Sequence, residues 1–421
     1  MLEIEDNIIN VAEYLSTKDI LNVSKTCKYY KKILLTEKIL RNRWFMLSKD
    51  IRNLEFLGTL DYKIHKINLN GNKNIKDDDF RYLKNINSLI MIDCNKDKIT
   101  DKAFEHLQGI YYLDMSFCDQ ETITDKAFEY LKGIHTLSMQ LCNQQTITDK
   151  AFENLKGIHT LYMDNCSKNI TNKAFEHLQG IHTLDISECS KNITDKAFEY
   201  LTGIHTLNMS RCYSITDNAF KYLQGIHTLI MSECNQNSIT DKAFEYLRNI
   251  HTLNMSSCWQ NTITDNAFKY LKGIHTLDVS FCYQITDNAF EYLKNIYDLN
   301  ISYCTENITD KAFEYLRGIH TLDMSRCYLI TDKAFENLQG IHTLNMRYCS
   351  QNSITNQAFE NLKGISILNI NNCNQKTITD KAFEHLKDIR SLDISYCNQI
   401  ESITKEKLYK YLNGCTIIDD R

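Results

Sequence analysis

Two residue types able to do chemistry recur along this chain at nearly regular intervals. Cysteine stands at 14 corresponding places from Cys94 to Cys397, spaced 22 to 24 residues apart; only Cys27 and Cys415 fall elsewhere. Histidine recurs at His135, His159, His182, His205, His227, His251, His275, His320 and His342, each just after an isoleucine. Thiolates and imidazoles are metal ligands, and imidazole titrates near neutrality. The cysteines lack the C-x-x-C pairs and interleaved histidines of a zinc site, so no metal is assigned to them. Stacked on neighbouring strands they would lie within disulfide range. Burial and a reducing compartment favour a small buried residue whose thiol faces turn backbone. The histidines read first as a rim residue copied with its repeat; a metal- or pH-responsive column is the alternative. The chain has no glycine-rich phosphate loop, no H-E-x-x-H and no G-x-S-x-G. No catalytic residue and no cofactor is therefore expected.

Against this copied background one position varies freely. Just before each Cys stand Phe117, Leu141, Asn165, Glu188, Arg211, Glu233, Ser257, Phe281, Tyr303, Arg326, Tyr348, Asn372 and Tyr396, among others. A position holding Arg, Glu and aromatics inside near-identical repeats was not chosen by packing. Side-chain alternation along a strand would point it to the concave face of a curved sheet. Aromatics and Arg are frequent interface anchors. Phe281, Tyr303, Arg326, Arg347, Tyr348 and Tyr396 are thus the expected target-binding residues. Directly after Cys stand Tyr213, Tyr283 and Tyr328 in the three shortest loops and Trp259 in a longer one. They either cover the turns or join the binding surface.

The element that must position these residues is typified by 123–142, ITDKAFEYLKGIHTLSMQLC. Ile134, Leu137, Met139 and Cys142 fit L-x-x-L-x-L-x-x-C, which resembles a leucine-rich repeat. With I-T-D before it, the unit is similar to the cysteine-containing subclass of that family. The Ile of I-T-D precedes the next Cys by a constant 19 positions (99 to 118, 215 to 234, 378 to 397). Length variation is confined to the residues just after Cys, as a surface turn allows. Thr and Asp of I-T-D read as N-capping residues, Asp suiting the helix dipole. Ala127, Phe128 and Leu131 share the buried helix face. The helix stops at Gly in most repeats and at Asn85, Asn249, Asn295 or Asp388 in the others, which predicts a left-handed cap. Strand starts from Ile64 to Ile389 number 15. The fold class expected is α/β: a leucine-rich-repeat solenoid, horseshoe-shaped, with a parallel concave sheet and convex helices.

Residues 1–47 do not fit the repeat. Ile8, Ile9, Ala12 and Leu15 have helical spacing, as do Ile20, Leu21, Val23 and Cys27 after a break at Ser16 or Thr17. A third helical stretch from about Thr36 carries Ile39, Leu40, Trp44 and Phe45. Tyr14, Leu15, Asp19, Ile20, Leu21, Ser24, Lys25 and Trp44 match the Y-L-x-x-x-D-L and V-C/S-K pattern with a later Trp, and this module resembles an F-box. Where that family usually has Leu-Pro, this proline-free chain has Leu2-Glu3 or Ile4-Glu5. Residues 48–63 read as a connector whose Ile51, Leu54, Phe56 and Leu57 cover the first repeat. Residues 64–402 are the repeats and 403–421 a degenerate C-terminal cap.

Composition limits the partners. Lys+Arg 48 against Asp+Glu 53 gives a net charge of −5 over 421 residues, without a basic run, so nucleic acid is not an expected ligand. The acidic N-terminus is no secretory signal and no apolar stretch is long enough for a membrane span. A cytoplasmic or nuclear protein, in a host cell if the source is viral, is expected; the lack of proline and wealth of Asn, Lys and Ile resemble an AT-rich genome. The style is similar to F-box/repeat proteins of large DNA viruses of amoebae. The double resemblance implies a non-catalytic substrate receptor of a Skp–cullin–F-box ubiquitin ligase. Ile8, Ile9, Leu15, Ile20, Leu21 and Val23 would bind a Skp-type adaptor, and through it a cullin, while the repeats hold an unknown target protein. The alternative is a plain interaction scaffold whose N-terminal segment only caps the solenoid.

Overall fold

The computed structural model describes residues 17–24, 30, 33–34, 40–60, 63–94, 97–166, 168–188, 191–397, 408, 411–412 and 414–420. They fall into two compact units, 1–204 and 205–421. Both are built from one repeated piece. In the piece beginning at Ile123, Thr124 caps a single α-turn, Asp125–Phe128, which tightens into a 3-10 turn, Glu129–Leu131. A left-handed residue ends it, and Thr136–Ser138 forms a strand of three residues. The helical part is short because I-T-D and the stop residue leave room for little more than two turns. Ala127 and Phe128 are fully buried and Leu131 nearly so. Truncating such a phenylalanine costs about 3–5 kcal/mol.

In the first unit, seven strands pair in parallel and in chain order: β1 (Trp44–Met46), β2 (Lys66–Asn68), β3 (Ser88–Ile90), β4 (Tyr112–Asp114), β5 (Thr136–Ser138), β6 (Thr160–Tyr162) and β7 (Thr183–Asp185). In the second, β8 (Thr206–Asn208) pairs with β9 (Thr228–Ile230), and the ladder continues in chain order to β16 (Ser391–Asp393) and β17 (Thr416–Ile418). The repeat strands bury their central residue, Ile67 in β2 and Leu from β3 to β16, and most leave the residues on either side half-buried on the sheet's open face, as Thr276–Asp278 and Thr321–Asp323 do; Ser88 and Ser138 are buried as well.

The two ends differ from the sequence reading. Trp44 and Phe45 do not continue a third helix; they lie in β1, which extends the sheet past the first repeat. β-branched and aromatic side chains suit a sheet edge, and Phe45 is buried there while Met46 is exposed. The C-terminal segment likewise ends in a strand, β17, where no strand was expected. Of the connector residues, Leu54 is fully buried, Ile51 and Leu57 are half-buried and Phe56 is exposed. The Leu54 N–H donates to Asp79 Oδ1 at 3.2 Å. Asn72, standing where later repeats have Cys, is fully buried, and its amide donates to the connector carbonyls of Ser48 (3.3 Å) and Ile51 (3.0 Å). An amide spans a gap that a thiol could not.

The Asp of I-T-D does something other than serve its own helix. In the first unit the Asp125 carboxylate accepts from both the Thr148 N–H and the Thr148 hydroxyl, each at 2.7 Å. The same clamp joins Asp101 to Thr124 and Asp149 to Thr171. In the second unit it joins Asp241 to Thr264 and Asp332 to Thr355. Because the Thr hydroxyl donates its proton to the carboxylate, its lone pairs are left to accept from the N–H two residues on, as Thr264 does from Asn266 at 3.2 Å. Two repeats have Asn in this place, Asn172 and Asn356. There the amide donates to the next Thr hydroxyl, at 3.0 Å on Thr194 and 2.9 Å on Thr379. Both of those threonines lack the side-chain cap bond. Reversing the polarity of one hydrogen bond thus removes the helix cap of the following repeat.

The stop residue is left-handed at Asn85, Asn249 and Asn295 (φ 68, 66 and 67°), as expected, and at the glycines. Asp388 is the correction: it is not among the described residues with positive φ.

The clamp yields a prediction. Asp241→Asn should remove the cap bond of Thr264 and lower stability by about 0.5–2 kcal/mol, while Asn356→Asp should raise it by restoring the cap of Thr379. Urea denaturation followed by circular dichroism checks both. Shifts of the same sign for the two changes would contradict the polarity argument.

Candidate functional site

The variable position before each Cys is not a strand residue. The strand ends three residues earlier, and the chain has already turned. From Asp93 to Tyr396 these residues are all left-handed, with φ between 48 and 63°. Their N–H groups still bond to the next repeat, as Tyr303 to Ser325 O at 2.8 Å and Arg326 to Arg347 O at 2.9 Å. The side chains therefore stack along the turn edge of the sheet. Glycine or asparagine would adopt this backbone most cheaply; other residues are disfavoured there by about 1–2 kcal/mol. Phe281, Tyr303, Arg326 and Tyr348 occupy it nonetheless, so packing economy did not select them.

Five of the six expected target-binding residues come together. The Phe281 and Tyr303 rings stack with centroids 4.0 Å apart. The Arg326 guanidinium lies between two rings, 4.9 Å from the Tyr303 centroid and 4.3 Å from that of Tyr348. The Arg347 guanidinium lies 4.8 Å from the Tyr348 centroid. It also donates from Nε to Asn371 Oδ1 at 3.1 Å and from Nη2 to the Tyr348 hydroxyl at 3.4 Å. Tyr396 is exposed and stands apart, because Asn372 occupies the intervening repeat. Tyr213, Trp259, Tyr283 and Tyr328, 41 to 56 % exposed, do not act as buried turn covers.

Of the expected adaptor-binding residues, Ile8, Ile9 and Leu15 lie outside the described residues. Ile20, Leu21 and Val23 lie on the helix Thr17–Ser24. Ile20 is fully buried and Val23 half-buried. The helix packs against β1.

Two polar rows escaped the sequence reading. Among the described residues, from Gln144 onward the glutamine two residues after Cys donates to the carbonyl of the preceding repeat's Cys, as Gln144 to Cys118 O (3.1 Å) and Gln284 to Cys258 O (2.8 Å), whereas the Gln120 amide at the start of the row is buried without a partner. The last residue of the strand forms Asp–Asn pairs beside the aromatic row: Asn300 donates to Asp278 at 3.1 Å and Asn345 to Asp323 at 2.7 Å. Recurrence of Gln after Cys and of Asp or Asn before Met, Val or Ile was the available signal.

The cysteines are structural. Cys118 Sγ donates to Met91 O at 3.3 Å, Cys142 to Met115 O at 3.2 Å and Cys397 to Ile370 O at 3.0 Å. Every described cysteine is a free thiol. Burial pushes the Cys94, Cys304 and Cys349 thiols up to about 12. The histidines form parallel stacks, with His135, His159 and His182 in the first unit at 4.5 Å centroid spacing. In the second, His205, His227, His251 and His275 continue through Tyr297 to His320 and His342. Each Nδ1 meets the hydroxyl of the next Thr, at 3.1 Å for His251. Face-to-face rings set their nitrogens side by side rather than around one point. Among the described residues no group of three or more His, Cys, Asp or Glu could hold a metal ion, and no helix is long and apolar enough to cross a membrane.

The profile of the BspA-type leucine-rich-repeat region matches residues 49–182, 121–247 and 213–342, together most of the chain. The chain belongs to the BspA-type leucine-rich-repeat family. A second leucine-rich-repeat profile matches 339–400, and an F-box domain profile matches 5–42. No curated protein matches the sequence. Among solved structures, a leucine-rich-repeat protein of Leptospira interrogans is 17 % identical with a TM-score of 0.61, over 88 % of this chain and all of that one (100 %). TLR13 in its complex with ssRNA13 gives 18 %, 0.58, and 85 % of this chain. The Drosophila Toll–Spatzle complex gives 14 %, 0.56, and 90 %. This leucine-rich-repeat chain spans 57 % and 54 % of those last two chains, and at such identities the likeness is one of fold.

Two predictions test the ladders. The thiols of the leucine-rich repeats should resist alkylation in the folded protein and react once it is denatured, because a buried thiol held near 12 supplies almost no thiolate. Mass spectrometry after iodoacetamide treatment reads this; rapid native labelling of Cys304 or Cys349 would contradict it. The His135 and His251 imidazoles are held below 6.5, first by burial and then by neighbouring histidines. The unfolded chain therefore takes up these protons before the folded one does. Stability from this source is full above about pH 6.5 and falls as the pH drops through that value. The urea midpoint should decline between about pH 7.5 and 5.5, and less so in His251→Gln.

Proposed function

We propose that this chain is the target-recognition subunit of a Skp–cullin–F-box-type ubiquitin ligase. The observation that carries the reading is the F-box match over 5–42, joined directly to a leucine-rich-repeat array that begins by residue 49. The F-box would dock on a Skp-type adaptor, and through it a cullin, using Ile8, Ile9, Leu15, Ile20, Leu21 and Val23. The repeat surface would hold the target protein on Phe281, Tyr303, Arg326, Arg347 and Tyr348, with Tyr396 at its margin. The chain itself catalyses nothing in this reading. Free thiols bonded to backbone carbonyls suit a reducing cytoplasm or nucleus. Resemblance to proteins of large DNA viruses of amoebae adds that the adaptor would be a host protein.

One observation favours the plain scaffold instead. Ile20 is wholly buried and its helix packs on β1, as a solenoid cap would. The two readings part on adaptor binding. The full chain, purified with a Skp-type adaptor, should co-elute as a complex. Leu15→Asp together with Leu21→Asp should abolish co-elution while the repeats keep their circular dichroism. Ile20 is spared because its burial makes it a folding residue. Failure of the unaltered chain to bind any Skp-type adaptor would leave the scaffold reading.

A further inference from the structure

The position before Cys holds arginine twice in the second unit, and the two sites differ in one respect. At Arg211 the next repeat offers Glu233 at the same position, and Arg211 Nη2 donates to Glu233 Oε1 at 2.6 Å. At Arg326 the flanking repeats offer tyrosines instead, Tyr303 before and Tyr348 after. Among the described residues no carboxylate pairs with Arg326, and its Nε is buried without a hydrogen-bond partner. The chain thus shows what an arginine here does with an acid beside it, and then presents the same arginine with the acid missing.

The physical state of Arg326 is unusual for a surface cation. Both faces of the guanidinium are covered by rings, so its orientation is held and its long side chain has already lost its freedom. What is left to a ligand is the edge, where a guanidinium carries its in-plane donors. That edge matches two oxygens of one carboxylate. The flanking rings exclude water, which strengthens a charge pair beyond that of an open surface. Beside it the Phe281–Tyr303 stack presents apolar ring area, and Arg347 adds a second positive charge whose Nε and Nη2 are already engaged.

We propose that Arg326, between Tyr303 and Tyr348, is a carboxylate-recognition site. It takes an extended peptide segment with an acidic group on Arg326 and an apolar residue against Phe281 and Tyr303. The inference deepens the target-binding half of the function proposed above and rests on it. The carboxylate belongs either to an Asp or Glu side chain or to a chain terminus; the chemistry is the same, and the experiment separates the sources.

The test uses the full chain. A phage-displayed library of random linear peptides is selected on it, and the selected peptides are remade with free and with amidated C-termini for fluorescence anisotropy. If a side chain is the source, selected peptides should be enriched in Asp and Glu and should bind equally when amidated; if the terminus is the source, binding should need a free C-terminus and be abolished by amidation. Arg326→Gln should weaken them about 10- to 100-fold, the range of a lost charge-assisted pair. Arg326→Lys should not restore them, since an ammonium cannot replace the sandwiched plane. Arg326→Glu should reverse the selection toward Lys- and Arg-rich peptides, a result that unfolding cannot imitate. Selected peptides that still bind Arg326→Gln, or selected peptides that are neither enriched in Asp and Glu nor weakened by amidation, would overturn the proposal. Neutral peptides lost on Tyr303→Leu would overturn the carboxylate while keeping the row as a target surface. Binding indifferent to every change in the row would remove both.

Discussion

The Asp–Thr clamp between successive repeats is the interaction on which the rest of this structure depends. A helix of four to seven residues cannot hold itself in water, since nucleation costs more than one turn returns. Here, wherever the preceding repeat has Asp, the turn is held at its start by a threonine whose proton has been committed to that repeat. The carboxylate orients the hydroxyl and frees it to cap. Cap and inter-repeat contact are therefore one network, and each repeat's local structure depends on its neighbour. That is the physical content of a solenoid's nearest-neighbour stability. The Asn172 and Asn356 repeats show the same point in reverse, keeping the contact and losing the cap.

Once the repeats are locked at one spacing, every position becomes a column. Whether a column is structural or functional then depends on what its members do to one another. The thiols give their protons to backbone carbonyls and the imidazoles bond the adjacent threonine hydroxyl. Both are satisfied within the fold. The column before Cys is different, because its backbone penalises bulky side chains and its members change from repeat to repeat. Within it, a cation held between two rings is charge left without an internal counterpart.

Several parts of this structure were legible from residue patterns alone. The constant 19-residue interval marked the rigid block, and the interchange of Gly with Asn marked the left-handed stop. The membership of the Phe281–Tyr348 row followed from variation against a copied background. Others were not legible. Trp44 and Phe45 follow a helical pattern closely enough that only the open edge of β2 explains their strand. Thr416–Ile418 joins β16 for the same reason. An unpaired sheet edge recruits whatever chain lies alongside it, and local sequence carries no record of that demand.

The sequence by itself therefore determined the repeat, its caps, its buried face and the residues free to vary, because those depend on contacts within about twenty residues or on exact repetition. Only the tertiary structure decided that the I-T-D aspartate serves the next repeat, that the residue before Cys is a turn residue rather than a strand residue, and that Arg211 is ion-paired while Arg326 is sandwiched. Those outcomes depend on which side chain stands one repeat away. The two arginines occupy the same place in the same motif, and what each can do is set by the neighbour that stacking brings within reach.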